Sequence, residues 1–401
     1  MDWAKKEDLH CVAITLQQTD RSAANFLSPS WEVILVLFGR IALRSRVALV
    51  TSGLGTAQGG IGVVADLMVS ALRKDTDITI WRHSASLSRP LRIILAYGRA
   101  CIGSLKRPDL VIYDHTHLAV LHSSIPWLRQ IPYVVFLHGV EVWEPLTGRR
   151  REALRGASVL LSNSATTEAA ARIPNPWLPK VDVVWLGVPS QSDPTDQTTT
   201  QPVGLIVGRM SSCERLKGHD AVLNAWPEIR SAVPNAKLVI VGTGDDQKRL
   251  QRRVRDEHKP AIEFCGRLED AERDRLYRSS RLLFLPSKQE GFGIVATEAA
   301  SFGVPVLGLV GTVMEELFPN GCGVRLVSNW EGHCIAQAAI PLLADAHAAA
   351  ILGKAGWARV QQNFLQEHFT DRFRRALAKL LPVCGERCEE LARESLPSCM
   401  N

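Results

Sequence analysis

Twice along this chain, short apolar strands alternate with helical stretches, and a polar stretch separates the two series. The first series reads "RVALVTSG" (46–53), "DITIWR", "DLVIYDH", "YVVFLHG", "SVLLSNS" and "VDVVWLG". The second reads "VGLIVGR", "KLVIVGTG", "IEFCGR", "RLLFLPS", "VPVLGLVG" and "GVRLV". Unbroken Val, Ile and Leu runs belong to strands buried on both faces, and helices between successive strands return the chain for parallel pairing. "SQSDPTDQTTTQP" (190–202) has no apolar residue between Val188 and Val203 and reads as a linker. The fold class is therefore α/β, with two Rossmann-like doubly wound domains facing across a cleft. The expected boundaries are an N-terminal extension over 1–45, a first domain over 46–190, a linker over 191–202 and a second domain over 203–356. A helical segment over 357–380 and a tail over 381–401 follow.

The 401 residues suit two or three domains of roughly 150 residues, and 46% apolar content suits full cores in a soluble chain. No apolar run reaches the ~18 residues of a membrane span. "VILVLF" (33–38) is short and follows a polar start, which makes a poor secretory signal. Residues 1–45 are either a loosely ordered extension or the product of an early start codon. The nine cysteines are odd in number and scattered, which argues against a zinc site or disulfide framework and for reduced cytoplasmic thiols. A net charge of +6 fits anionic ligands. No stripe of basic and aromatic residues indicates nucleic acid.

In doubly wound sheets ligands bind beyond the carboxyl ends of strands, so candidate residues should follow strands. "SKQEGFGIVATEAASFGVPVLG" (287–308) does so. Glu290 precedes the turn Gly291-Phe292-Gly293, and a helix beginning near Ile294 carries Glu298 among alanines. The first amides of such a helix lack intrahelical partners and attract anions. A carboxylate inside an apolar helix needs partners. A ribose diol would serve Glu298, and sugar hydroxyls would serve Glu290. In "VGRMSSCERLKGHD" (207–220), Arg209 and Lys217 flank a loop and suit a diphosphate. "TAQGGIG" places Gly59 and Gly60 at a strand-to-helix turn, and His138 directly follows a strand in "FLHGVEVW". Asp75 and Asp77 form a DxD pair at the opposite end of the sheet, where no metal role is expected.

These residues together carry a resemblance. "EGFGIVATE" looks like the E-x7-E motif of retaining glycosyltransferases of family 4, which have the GT-B fold. "GRM…LKGHD", "GGIG" and "LHGVEVW" are similar to the family's other marks, in order, over about residues 46–380. The resemblance implies transfer from a nucleotide-sugar donor with retention, and no cofactor or required metal. It implies that Glu298 binds the ribose and Glu290 the sugar hydroxyls. Backbone at Gly291, Phe292, Gly293 and Ile294 would meet the sugar and diphosphate, and Gly59 and Gly60 would pack against the phosphates. Arg209 and Lys217 would stabilise the leaving group, His138 would lie beside the sugar, and Gly266 and Leu268 would flank the base. The helix over 357–380 would cross back to the first domain. The gap between Arg209 and Lys217 is longer than in most relatives.

The acceptor, a glycan or polyprenol-linked chain, should meet the first domain. Residues 46–190 hold 16 Lys and Arg against 10 Asp and Glu. "RPLRIILAYGRACIGSLKR" (89–107) and Arg149–Arg151 leave two readings open: solvated helix faces, or peripheral docking on an anionic inner-membrane face. GDP-mannose and UDP-sugars are both open as donors, with polysaccharide or cell-envelope biosynthesis as the setting. A sugar-nucleotide epimerase and a non-catalytic binding protein on the same frame are the competing readings.

Overall fold

The structure is a computed structural model and describes residues 44–55, 59–82, 107–194 and 201–381. The expected extension up to residue 43, the basic stretch up to Lys106, and the tail from residue 382 lie outside the described residues.

The first six strands are β1 (Ser45–Thr51), β2 (Thr76–Arg82), β3 (Leu110–Tyr113), β4 (Tyr133–Leu137), β5 (Val159–Ser162) and β6 (Val181–Val183). They form a parallel sheet in the order β2-β1-β3-β4-β5-β6. Helices α1 (Gly60–Leu72), α2 (Thr116–Ser124), α3 (Gly148–Arg155) and α4 (Ala165–Arg172) connect them. Every residue of β3 and β4 is buried, as unbroken apolar runs require of strands covered on both faces.

The second sheet contains β7 (Val203–Val207), β8 (Lys237–Val241), β9 (Ile262–Gly266), β10 (Leu282–Phe284), β11 (Val306–Leu309) and β12 (Val324–Val327). Its order is β12-β11-β10-β7-β8-β9, again parallel. Helices α5 (His219–Ala232), α6 (Gln247–Arg253), α7 (Asp270–Ser279), α8 (Ile294–Ser301), α9 (Val313–Leu317) and α10 (Gly332–Ala344) cover it. The strand order reverses between β7 and β10 here, and between β1 and β3 in the first sheet. Such reversals open a crevice at the carboxyl ends of the strands.

The chain then returns. The segment expected over 357–380 is two helices, α11 (Ala346–Asn363) and α12 (Gln366–Leu377), broken at Phe364 and Leu365. The break pairs with the end of the first domain, just before the linker: the Val188 amide donates to the Phe364 carbonyl at 2.7 Å, and the Gln366 amide to the Val188 carbonyl at 3.1 Å. Beyond it, Phe369, Phe373 and Leu377 recur at i, i+4 and i+8 and are fully buried, so one stripe of α12 packs inward. That packing reaches α1, where Arg374 Nε donates to the Ala71 carbonyl at 2.8 Å and its guanidinium pairs with Asp75 at 2.5 Å. One apolar cluster joins Val47, Leu49 and Phe136 of the first sheet, Leu205 and Leu283 of the second, and Phe364 and Phe369 of the returning helices.

Candidate functional site

The switch point of the second sheet brings two distant loops together. Beyond β7, Arg209 opens a loop that ends in the short turn Arg215–Lys217 before α5. Beyond β10, the chain passes through Lys288 and Glu290. The Lys288 amide donates to the Leu216 carbonyl at 2.9 Å, which ties the loops backbone to backbone. Lys217 Nζ then reaches Glu290 Oε2 at 2.9 Å, with both side chains largely shielded (28% and 15% exposed). Arg209 behaves differently. It is 69% exposed, and its Nε and Nη2 donate to Glu214 at 2.8 and 2.6 Å, within its own loop. An exposed pair of this kind contributes about 0–1 kcal/mol, so an incoming diphosphate can replace Glu214 at small cost.

The turn Gly291-Phe292-Gly293 feeds α8, with Gly293 at φ +76°, a left-handed conformation that favours glycine. Phe292 is buried, and its ring meets Phe364 edge-on at 6.0 Å. Only its backbone is available to a ligand. The amides of Gly291, Phe292 and Gly293 donate to no protein acceptor among the described residues. Together with the open first turn of α8, beside half-buried Ile294, they form a set of donors suited to an anion or sugar oxygens.

Glu298 lies one turn into α8, 16% exposed. Its partners come from α7: the Tyr277 hydroxyl donates to Oε2 at 2.9 Å, and Arg273 Nη2 stands 3.6 Å from Oε1. Burial pushes the Glu298 carboxyl above the usual range, and Arg273 and Tyr277 pull it partly back. Arg273 and Tyr277 escaped the sequence reading, although their i, i+4 spacing on one helix face was visible. Gly266, at φ +68°, and half-buried Leu268 follow β9. The space above Gly266 is open, since an added Cβ would meet nothing within 4 Å.

The first domain closes on this turn from the opposite side. A Cβ built on Gly291 would fall 1.8 Å from the His138 carbonyl oxygen, so only glycine permits the contact. The Gly291 carbonyl accepts from Ser164 Oγ at 2.6 Å and Thr167 Oγ1 at 3.0 Å, both at the start of α4. Glu316 of α9 accepts from the amides of Ala165 and Thr166, from Thr166 Oγ1 and from Trp185 Nε1, all within 2.8 Å. None of these clasping residues was singled out from sequence, because they meet only across the folded cleft.

His138 follows β4 and is half-buried. Its amide donates to Glu141 at 2.6 Å, and its Nε2 bonds to the Asp114 carbonyl. Burial lowers its pKa, so the ring is neutral at pH 7. Asp114 directly follows β3 and is fully buried. Oδ2 bonds to Thr51 Oγ1, while Oδ1 has no partner among the described residues. Burial raises its carboxyl to about 7. Gly59, at φ +70°, caps α1 without a side-chain bond, and the space above Gly59 and Gly60 is open to 4 Å.

Asp75 is held by Arg374 at the amino end of β2, away from the cleft. Among the described residues no group of three or more His, Cys, Asp or Glu side chains could hold a metal ion. Cys213, Cys265, Cys322 and Cys334 are free thiols. No single described helix is long and apolar enough to cross a membrane.

Residues 201–379 match the family described as Glycosyl transferases group 1. A GDP-mannose-dependent monoacylated alpha-(1-6)-phosphatidylinositol monomannoside mannosyltransferase of Corynebacterium glutamicum is 31% identical over 164 residues, 39% of this chain and 42% of that one. A glycogen synthase of Mycobacterium tuberculosis is 30% identical over 283 residues, 64% of this chain and 66% of that one. The chain thus spans about two fifths of the first relative and just under two thirds of the second. Among solved structures, Anabaena Alr3699/HepE in complex with UDP and glucose superposes with a TM-score of 0.66 at 17% identity, over 82% of this chain and 99% of that one.

Proposed function

We propose that this chain, whose residues 201–379 match the glycosyl transferases group 1 family and whose two sheets form a GT-B frame, moves a sugar from a nucleotide-sugar donor to an acceptor held by the first domain. The observation that carries this reading is the Lys217–Glu290 pair next in the chain to the free amides of Gly291, Phe292 and Gly293, where the His138 carbonyl packs against Gly291. A cation, a sugar-binding carboxylate and a row of donors converge where a leaving diphosphate gains charge.

In this reading Glu298 holds the ribose, and Gly266 and Leu268 flank the base. Lys217, Arg209 and the α8 amides stabilise the leaving diphosphate, and preplaced donors of this kind lower the barrier because they need no reorganisation. Gly59 and Gly60 leave room for phosphate against α1. His138, neutral and bonded to backbone, lies beside the sugar. Glu290 receives sugar hydroxyls; its charge is engaged by Lys217, which makes it a poor nucleophile for a double displacement. Retention then follows a front-face course: the acceptor oxygen attacks the anomeric carbon as the diphosphate departs, and a leaving phosphate oxygen takes the acceptor's proton. No metal is needed in this scheme. The donor is GDP-mannose or a UDP-sugar, the acceptor a glycan or lipid-linked chain of the cell envelope or an exopolysaccharide, and the place of action the cytoplasm or its membrane face.

A thermal-shift screen against GDP, UDP, ADP and their common sugars, without metal, tests the reading. Ligand at a hundredfold excess over Kd should raise stability by about 2.7 kcal/mol. The shift should disappear in Glu298→Ala and shrink in Arg209→Ala. No shift with any nucleotide, and no donor hydrolysis, would overturn it.

A further inference from the structure

A cavity opens on the first domain beside the start of α3. It measures about 370 Å³ and is lined by His117, Val120, Pro145, Leu146, Thr147, Arg149 and Arg150. No acidic side chain lines it. Two guanidinium groups sit in the first turn of α3, where the helix dipole disfavours positive charge. Thr147, at the N-cap, makes no side-chain cap bond, and no acidic residue stands in the first turn. The helix start therefore lacks the anionic partner that would satisfy both its amides and its arginines.

The arginines are arranged for such a partner. Neither Arg149 nor Arg150 pairs with a carboxylate among the described residues. Arg150 is held instead by His117, against Nε2 of the ring. A guanidinium can only donate, so His117 Nε2 accepts and its proton sits on Nδ1. That Nδ1 lies 3.1 Å from Nδ1 of His115, which also accepts the His117 amide at 3.2 Å. Burial and Arg150 keep His117 below its ordinary pKa, and burial lowers His115 to about 4. Arg150 is thus oriented by a neutral group. Arg151 is turned elsewhere, with its guanidinium 5.0 Å above the Trp177 ring. The three arginines do not present one flat face.

The same histidines connect the cavity to the cleft. The His115 ring stacks on His138 at 6.2 Å and lies 4.9 Å from His117. An acceptor whose charged end fills the cavity is therefore two ring spacings from the residue beside the donor sugar.

We propose that this cavity binds the anionic group of the acceptor, a phosphate ester or carboxylate, through Arg149, Arg150 and the α3 amides. The acceptor is then a hydroxyl compound that carries a negative charge near the hydroxyl to be glycosylated. This inference rests on the proposed sugar transfer.

The test uses the full chain saturated with whichever nucleotide diphosphate gives the thermal shift, so that the donor site is filled. Glycerol 3-phosphate and glycerol are titrated by calorimetry into the wild type and into Arg149→Gln/Arg150→Gln. Flotation with phosphatidylcholine vesicles, with and without phosphatidylglycerol, runs beside it. Glycerol 3-phosphate should bind and glycerol should not, with a loss of about tenfold or more in the double variant, as expected for removed charge-assisted bonds. Flotation that needs phosphatidylglycerol and both arginines would place the anion on a lipid headgroup; binding in solution alone would place it on a soluble acceptor. Absence of anion binding to the nucleotide-loaded wild type by either route, or equal binding by the double variant, overturns the inference. If no nucleotide shifts the protein, the transferase reading fails instead; the anion titration is then run without nucleotide and decides the cavity by itself.

Discussion

Lys217 Nζ lies 2.9 Å from Glu290 Oε2 across a sequence separation of 73 residues, and this contact joins the loops beyond β7 and β10. It keeps an ammonium group beside the start of α8, where a departing diphosphate would sit. Lys217→Ala should lower turnover by about 10²–10³-fold, the usual effect of removing one preplaced charge donor. Steady-state kinetics, with circular dichroism to confirm folding, measures it. Turnover at the wild-type level would remove Lys217 from the site.

Gly291→Ala is expected to separate folding from function. Its methyl group would meet the His138 carbonyl, so the cleft must open to admit it. Besides the shared cluster each domain has an apolar cluster of its own, so the melting temperature should fall modestly while activity falls far more. Small-angle scattering should show a larger radius of gyration. Unchanged activity would mean that the closed contact is unnecessary for transfer.

Glu298→Gln should stabilise the ligand-free protein at neutral pH. Burial raises the Glu298 carboxyl, so the folded state favours the neutral form. Its contribution is fully present below the ordinary glutamate range and is lost as pH rises through the raised value. The variant carries no charge to bury, and its advantage should grow with pH across that window. Nucleotide binding should weaken in the same protein. Thermal melts at several pH values, with and without nucleotide, check both effects.

Asp114 supplies a second pH signature. Its carboxyl is raised to about 7 from 3.8. Between those values the folded chain holds a proton that the unfolded chain has released. Stability should therefore fall with rising pH across that window, by about 1.4 kcal/mol per unit from this group, and level off above it. Asp114→Asn lacks this slope. His115, His122 and His219, each lowered to about 4, give an opposing slope in both proteins. The difference between wild type and variant in urea titrations therefore isolates Asp114.

Cutting the Glu316 clasp should cost stability and closure together. Its carboxylate accepts four hydrogen bonds from the first domain. Glu316→Ala leaves two amides of α4 and the Trp185 indole to find water. A loss of about 1–3 kcal/mol in denaturant midpoint analysis is expected, with a raised KM for the donor. A neutral outcome in both would leave the clasp without a role.

Much of the strand framework could be read from the chain, because buried parallel strands are written as apolar runs such as "VLLS" and "LVIV", each followed by its loop. Arg209, Lys217, Glu290 and His138 were singled out by that rule, and each lies beyond the end of a strand. Their partners were harder. Glu214 draws Arg209 aside through a side-chain choice that no spacing reveals. The His138–His115–His117 row comes from β3 and β4 standing side by side, and Glu316 meets α4 only when the domains face one another. The break at Phe364 falls inside a continuous helical pattern; packing of Phe364 against Trp185, Phe292 and Phe318 places it there.

The paired bonds between Val188 and the Phe364–Gln366 break have a mechanical meaning. The chain passes between the domains outward and back, and those two passages are fastened to each other at one point. Two separate ropes would let the domains slide, twist or part; one fastened pair acts as a pivot pin. A pin at that place favours swinging of one domain against the other over sliding or parting. The ring of Phe364 at the pin stands edge-on to Phe292, so the pin is in direct contact with the turn whose amides would hold the diphosphate.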